Sequence, residues 1–467
     1  MENAERFNSM KLSLSLKICS LLALASAAEA NALEISFEGQ THTVISVTPE
    51  KSTGLDHIYV AYSAPELSRM VISGTKGNLT AMRYSNLGGG YAEPVGVVNN
   101  GTTAYIDNPQ CEMGYILQDG DRATYIWLIG YLSHRLTLTG ASAYPEQECD
   151  NTRISTSGSG EPIYYYTIDG RQRELSRDIK VSYNTLVWNE ESENYDLQEQ
   201  EKVLSHLSNP IMINPPIYCD TEFTISGDRF LEEWGMGESV VSPTVIANGL
   251  EVHTSAEQTN LPDDDSETGS NIIREEGTYD LGGSAPADIS FRAFVTDAVI
   301  HKEWQIADDE NFEYITYRFN QQDLDYTFDE EGTYYVRFVG SNNDGSCEAY
   351  GDVYTVGIGS SELRIPNAFS PNDDGINDEW KVGYRSLLSF DCSIFDRYGN
   401  LLYHFSDPSL GWDGKYKGKK VKSGVYYYVI EAKGADGKKY KKGGDINIID
   451  YKSRGDAPGG STSTPTE

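Results

Sequence analysis

The sequence predicts an all-β protein built of tandem antiparallel β-sandwiches. Among its 467 residues are 32 Tyr and 44 Gly, with many Thr and Val, a mixture that suits pleated strands and tight turns. Apolar residues recur at every second position in short runs, and Gly, Asn or Pro break those runs at the spacing of sandwich strands. Long stretches of helical periodicity are few.

The N-terminus is read first because it sets the compartment. Met10-Lys11 opens a basic stretch that includes Lys17, and an apolar run follows from Ile18 to Ala28. Ala28-Glu29-Ala30 and Ala30-Asn31-Ala32 both fit the small-x-small cleavage pattern, so residues 1–32 are expected to be a secretory signal peptide. Glu2 and Glu5 interrupt the basic start, which points to Met10 as the initiator. A lipid anchor at Cys19 is the competing reading. Lys17 and Ile18 stand where small residues would precede a lipidated cysteine, and the apolar run follows Cys19 instead of leading to it. No later segment reaches the ~20 apolar residues of a membrane helix. The best, Tyr125 to Leu132, contains Gly130 and alternates like a strand. The mature chain is expected to be soluble or surface-attached, not membrane-spanning.

The formal charge is −34, a field that repels nucleic acid and anionic lipid. Its plainer meaning is solubility in a crowded exterior. Cys111, Cys149, Cys219, Cys347 and Cys392 remain after cleavage, and in an exported chain they favour disulfides over metal. Domain order suggests Cys111 with Cys149 and Cys219 with Cys347. Cys392, in the apolar stretch Phe390 to Phe395, is then an inert buried thiol.

Four blocks follow the signal. Residues 33–150 carry strand-like runs at Thr43 to Val47, His57 to Tyr62, Tyr125 to Tyr131 and Leu136 to Thr139, and read as one sandwich. Residues 151–214 read as a smaller β domain. Asp169-Gly170 marks a hairpin turn there, and Ile179, Val181 and Tyr183 mark a half-buried strand. Asp196 and Glu199 could form a capping box for a short helix ending near Leu207. Pro215-Pro216 is taken as the next boundary, opening a block of residues 215–359. Within it Ile289, Phe291, Ala293 and Val295 alternate with polar residues, and a strand centred on Trp304 precedes Gly332-Thr333-Tyr334-Tyr335-Val336 and the turn Asn342-Asn343-Asp344-Gly345. From Ser290 to Ile358 this pattern resembles the polycystic-kidney-disease-type Ig-like modules of bacterial surface proteins. On that reading Cys219 and Cys347 would tie the first strand to the turn near the last. Residues 452–467, rich in Gly, Pro, Ser and Thr, read as a disordered tail, in which Arg454-Gly455-Asp456 is a chance match.

Residues 360–451 are less generic. The run Pro366-Asn367-Ala368-Phe369-Ser370-Pro371-Asn372-Asp373-Asp374-Gly375-Ile376-Asn377-Asp378-Glu379-Trp380 is followed by Phe395-Asp396-Arg397-Tyr398-Gly399-Asn400. Then come Gly411-Trp412-Asp413-Gly414, Gly424-Val425-Tyr426-Tyr427-Tyr428 and Gly444-Asp445-Ile446-Asn447. In this order and spacing they resemble the gliding-motility-associated C-terminal domain, the type B sorting domain of type IX secretion cargo in Bacteroidetes. The resemblance implies a small Ig-like sandwich that outer-membrane machinery reads after Sec export, with delivery to the surface or medium. Gly399-Asn400 and Asp436-Gly437 supply hairpin turns for such a fold. The strand from Val425 to Ala432, apolar on both faces until Glu431, is expected at its centre, and Trp412 is expected to plug one end of the core.

Further features of this block need weighing. Asn372, Asp374 and Asp378 resemble a calcium loop of alternating oxygen ligands; the competing reading is a turn capped by its own side chains. From Ser361 to Asp450 there are 14 basic and 13 acidic residues, so the acidity lies upstream. Lys415, Lys417, Lys419, Lys420 and Lys422 cluster in one hairpin, with Lys438, Lys439, Lys441 and Lys442 nearby. They read either as a solvated edge that blocks strand pairing or as a face for an acidic receptor or surface polysaccharide. Catalysis has little support: seven His are scattered singly, without His-Glu-x-x-His or Gly-x-Ser-x-Gly. The expected function is that of a non-enzymatic surface or secreted protein serving adhesion or envelope structure. A carbohydrate-binding protein and a hydrolase within residues 33–214 are the alternatives.

Overall fold

The computed structural model describes residues 33–259, 271–273 and 281–449. The expected signal peptide, the acidic run Asp263-Asp264-Asp265 and the tail lie outside them. No helix among the described residues is long and apolar enough to cross a membrane. The chain divides into two compact units, one of residues 1–185 with 197–246 and one of residues 186–196 with 247–467.

The first unit starts as a sandwich. A four-stranded sheet runs in the order Glu34–Glu38, Arg69–Ser73, Thr103–Asp107 and Val98–Asn100. A six-stranded sheet runs Ile45–Val47, His57–Ala61, Arg122–Gly130, Met113–Asp119, Thr80–Tyr84 and Glu93–Val95. One face of the larger sheet puts Tyr59, Leu117, Ile126 and Leu128 into a core with Met70, Ile72 and Ile106. The other face, with Ile58, Val60, Trp127 and Ile129, shares a second core with Ile154, Ile179, Phe223 and Ile225. A strand covered on both sides needs apolar residues at successive positions, which accounts for the unbroken run Ile126 to Ile129.

That second core corrects three expectations. Thr137–Ala143 pairs with Thr152–Ser159, so the break expected at residue 150 falls inside a domain. Thr224–Gly227 pairs with the strand Ile179–Asn189 and with Glu238–Val241, so Pro215-Pro216 turns the chain without ending the domain. The helix expected after Asp196 is instead the strand Asn194–Leu204, on the edge of the same sheet. Its Glu, Gln and Lys residues favour a helix locally, but pairing overrides that preference, and a charged edge resists further pairing. Deep in this core lies an ion pair. Arg177 Nη1 is 2.9 Å from Asp228 Oδ2, with both side chains 0% exposed. The Tyr131 hydroxyl donates to Asp228 at 3.1 Å, as does the Leu231 N–H at 3.0 Å. Arg177 also donates to the carbonyls of Glu161 and His134.

The second unit contains an Ig-like sandwich and the C-terminal block. In the sandwich, Val252–Gln258, Ala287–Val295 and Leu324–Phe328 form one sheet. His301–Ala307, Gly332–Ser341 and Tyr354–Ile358 lie in the other. Trp304 is fully buried between them beside Phe291 and Phe338, and its indole N–H donates to the Gln322 carbonyl at 2.9 Å. The alternation from Ile289 to Val295 and the turn at Gly345 (φ 71°) are as expected. Residues 186–196, the tip of a hairpin, also belong to this unit. There the Trp188 ring lies flat on His253, with centroids 4.1 Å apart, and near Phe294 at 5.3 Å.

The C-terminal block has nine short strands: β1 (Glu362–Arg364), β2 (Ala368–Phe369), β3 (Gly383–Arg385), β4 (Leu387–Phe395), β5 (Leu401–Phe405), β6 (Lys415–Tyr416), β7 (Lys419–Lys420), β8 (Gly424–Gly434) and β9 (Lys439–Ile448). One sheet runs β2-β9-β8-β4-β5, and β1-β3 and β6-β7 form separate pairs. β8 is central in its sheet, as expected. Among the described residues only one of its faces is covered, however: Tyr426, Tyr428, Ile430 and Ala432 pack into the core, while Val425, Tyr427 and Val429 stay exposed.

Candidate functional site

Four of the five motif stretches, at 366–380, 411–414, 424–428 and 444–448, converge on one core. Trp380 and Trp412, each 0% exposed, exchange backbone hydrogen bonds of 2.9 and 3.0 Å. The Trp380 indole donates to the Pro366 carbonyl at 2.7 Å and its ring packs on Tyr428, with centroids 5.4 Å apart. The Trp412 indole donates to the Lys415 carbonyl at 3.0 Å, and its ring lies between Phe369 (5.6 Å) and Tyr426 (5.3 Å). Gly414 has φ +70°, and a Cβ there would stand 3.1 Å from Pro371 and 3.3 Å from the Phe369 ring. The Gly-Trp-Asp-Gly turn is thereby keyed to the first motif, and Trp412 closes the core as expected.

The polar motif residues build turns. Asp396 accepts from the N–H groups of Tyr398 (2.8 Å) and Asn400 (2.9 Å), around Gly399 at φ +82°. The Asn400 side chain, then its N–H, hold the Asp396 carboxyl below the usual range. The Arg397 guanidinium lies 5.0 Å from the exposed Tyr398 ring, and Phe395 ends β4. Asp413 accepts from the Lys415 N–H at 3.0 Å and its ammonium at 2.7 Å. Asp436 accepts from the Lys438 N–H at 3.0 Å and the Ser361 hydroxyl at 2.7 Å, which forms the expected turn between β8 and β9.

The loop of Asn372, Asp374 and Asp378 is capped by its own side chains. The two Asp378 oxygens accept from the N–H groups of Asp373 (2.6 Å) and Gly375 (2.7 Å). Asn372 and Asp374 bond each other at 2.9 Å, the Ser370 carbonyl accepts from the Asn372 N–H at 2.8 Å, and the Ser370 N–H donates to the Asn377 carbonyl. Lys420 reaches Asp373 at 2.7 Å. The oxygens serve the loop's own donors.

The cysteine expectations also change. Cys149 and Cys347 each take part in a disulfide, but neither pairing drawn from domain order forms, because Cys111 and Cys219 carry thiols. Cys111 packs beside Gly130, and burial pushes its thiol up to about 12. The Cys219 thiol lies 3.9 Å from the Asn184 carbonyl. Cys392 is buried in the C-terminal core, where burial likewise pushes its thiol up to about 12.

Sequence reasoning passed over three features of this block. Trp380 closes the first motif and is as buried as Trp412. The open face of β8 went unnoticed because both its faces are apolar in sequence. Lys433, grouped with neither lysine cluster, stands directly opposite Lys439.

Comparison with known proteins adds two family matches. Residues 363–448 match the model of the CHU_C type IX secretion signal domain, and residues 142–242 match that of a fibronectin type III domain. The second match crosses Pro215, as the strand pairing does. No curated protein matches the chain. Among solved structures, the FN1-FN3 domains of chicken CNTN1 are 8% identical, with a TM-score of 0.19, over 62% of this chain and 93% of that one. That score is below the level of a shared overall arrangement. The chain carries a type IX sorting domain behind Ig-like modules.

Proposed function

We propose that this is an exported, non-enzymatic surface or secreted protein whose Ig-like modules serve adhesion or envelope structure and whose C-terminal domain directs delivery. The observation that carries the reading is the closure of the motif stretches at 366–380, 411–414, 424–428 and 444–448 around Trp380 and Trp412, over the span matched as a secretion signal. A sorting domain of this kind implies export to the surface or the extracellular space. A carbohydrate platform would ask for a flat row of exposed aromatics. The group Tyr317, Phe319 and Tyr326 is instead tilted, with interplanar angles of 32° to 61°. The fully buried carboxylate of the first unit, Asp228, is sealed and neutralised by Arg177, out of reach of a substrate.

Deleting residues 361–467 in the native host and locating the remainder tests this reading. Retention in the periplasm is expected; normal delivery without the block would overturn it.

A further inference from the structure

Among the described residues, no layer covers the outer face of the five-stranded C-terminal sheet. Val425, Tyr427 and Val429, on its central strand, are 46%, 46% and 50% exposed. Phe395 stands opposite Tyr427 and pairs on its other side with Leu401, itself 50% exposed. Gly443 stands opposite Val429 and adds no side chain. The apolar residues of this face are Val425, Tyr427 and Val429 on β8, flanked by Phe395 on β4 and Leu401 on β5, with Ser393 opposite Val429 and Asp445 opposite Tyr427. A central strand is the place where a folded sheet hides apolar side chains most easily, so their exposure there points to contact with another surface.

Charge marks one end of the same face. Lys433 on β8 lies directly opposite Lys439 on β9, and neither has a carboxylate partner among the described residues. Like charges in this position destabilise a sheet. Edge protection does not account for Lys433, because β8 is paired on both sides there, with Ser389 and with Lys439. The carboxylates on the face are already engaged: Glu431 with Lys441 at 3.1 Å, Asp391 with His404 at 2.8 Å, and Asp445 with the Asn447 amide at 2.9 Å. At the end of the face held by Lys433 and Lys439 the charge offered to a partner is positive.

We infer that this face is the docking surface through which the sorting domain is read, and that its partner is a folded protein with an apolar centre and carboxylates at one end. The inference rests on the sorting reading above and adds the face and the partner's chemistry. At ~3.3 Å per residue, the carboxylates would lie ~13 Å from the contact made by Val429. Five strands at ~4.8 Å, and the ~27 Å from Val425 to Lys433, give a face of roughly 600 Å². That is close to the ~800 Å² per partner of a standard protein interface. Of the five apolar residues on this face three, Val425, Val429 and Leu401, are aliphatic and offer a sugar ring little to stack on, so the surface fits a protein better than a polysaccharide.

The test uses the full chain in its native host and compares three paired variants, Val425→Thr/Val429→Thr, Lys433→Glu/Lys439→Glu and Lys433→Arg/Lys439→Arg. Threonine keeps the strand preference, and two glutamates repel each other as two lysines do, so melting temperatures should stay near that of the wild type. Delivery outside the cell is expected to fall at least tenfold in the first two variants and to hold in the arginine pair. If the threonine pair melts early, the glutamate pair decides. Wild-type delivery of the glutamate and threonine pairs would overturn the inference. Should deletion of residues 361–467 stop export while both pairs are delivered normally, the docking face alone falls. Should the deletion itself leave export intact, the sorting reading falls and takes the docking face with it.

Discussion

Asp228 sits at 0% exposure with Arg177, Tyr131 and the Leu231 N–H all donating to it. Removing one half of such a pair leaves an uncompensated charge in a dry core, at a cost of about 3–5 kcal/mol. Asp228→Asn should therefore lower the stability of the first unit by that order in chemical denaturation. Arg177→Met with Asp228→Leu should recover most of the loss, since an apolar pair of similar volume carries no desolvation penalty. Nothing in the sequence announced this pair. Arg177 and Asp228 lie 51 residues apart, and each looks like an ordinary surface charge. Asp396 was legible by contrast, because its partners Tyr398 and Asn400 are within four residues and turn chemistry is local. The same locality made Asp169-Gly170 and Asp436-Gly437 readable.

At the scale of elements, the hairpin of β8 and β9 joins a stable core face to an unsettled outer one. Lys439→Glu would set a carboxylate across from Lys433 and should stabilise the domain by about 0.2–1 kcal/mol. The same change should lower delivery, so the variant that melts higher is exported less. Thermal melting and cell fractionation of one variant read both. Elements whose pattern is their own were legible: Ile289 to Val295 alternates, and Trp304 marks its strand. Elements defined by distant partners were not. Thr224–Gly227 belongs with Ile179–Asn189, although Pro215-Pro216 intervenes, and Asn194–Leu204 is a strand despite helix-favouring residues. The covered face of β8 could not be chosen from sequence, since Tyr426 and Tyr427 offer either face an aromatic ring.

Over the whole molecule, acid has two opposed effects. The charge of −34 makes the folded chain repel itself at neutral pH, and protonation relieves this as pH falls. Turn aspartates work the other way. Asp309 and Asp396 are held below the usual range, chiefly by the Glu313 N–H and by the Asn400 side chain respectively. Asp344 is held low by the Ser346 hydroxyl and N–H. A carboxyl depressed in the folded state contributes stability that is complete above its unfolded pKa of ~3.9 and is lost as pH falls through the folded value. Melting temperature should thus hold or rise slightly from pH 8 to about 5 and drop below about 4. A steady fall beginning near pH 7 would contradict this.

Trp188 gives the chain an unusual route. The polypeptide leaves the first unit at residue 186, lends an eleven-residue tip to the second, returns at 197 and departs again after 246. Three covalent crossings replace the single linker of beads on a string. A fragment starting at Ala247 leaves His253 and Phe294 without their indole cover, and one ending at Ile246 carries a hairpin tip with nothing to lie on. During synthesis the tip emerges some fifty residues before the rest of its unit, so Trp188 waits for His253 and Phe294 to be made.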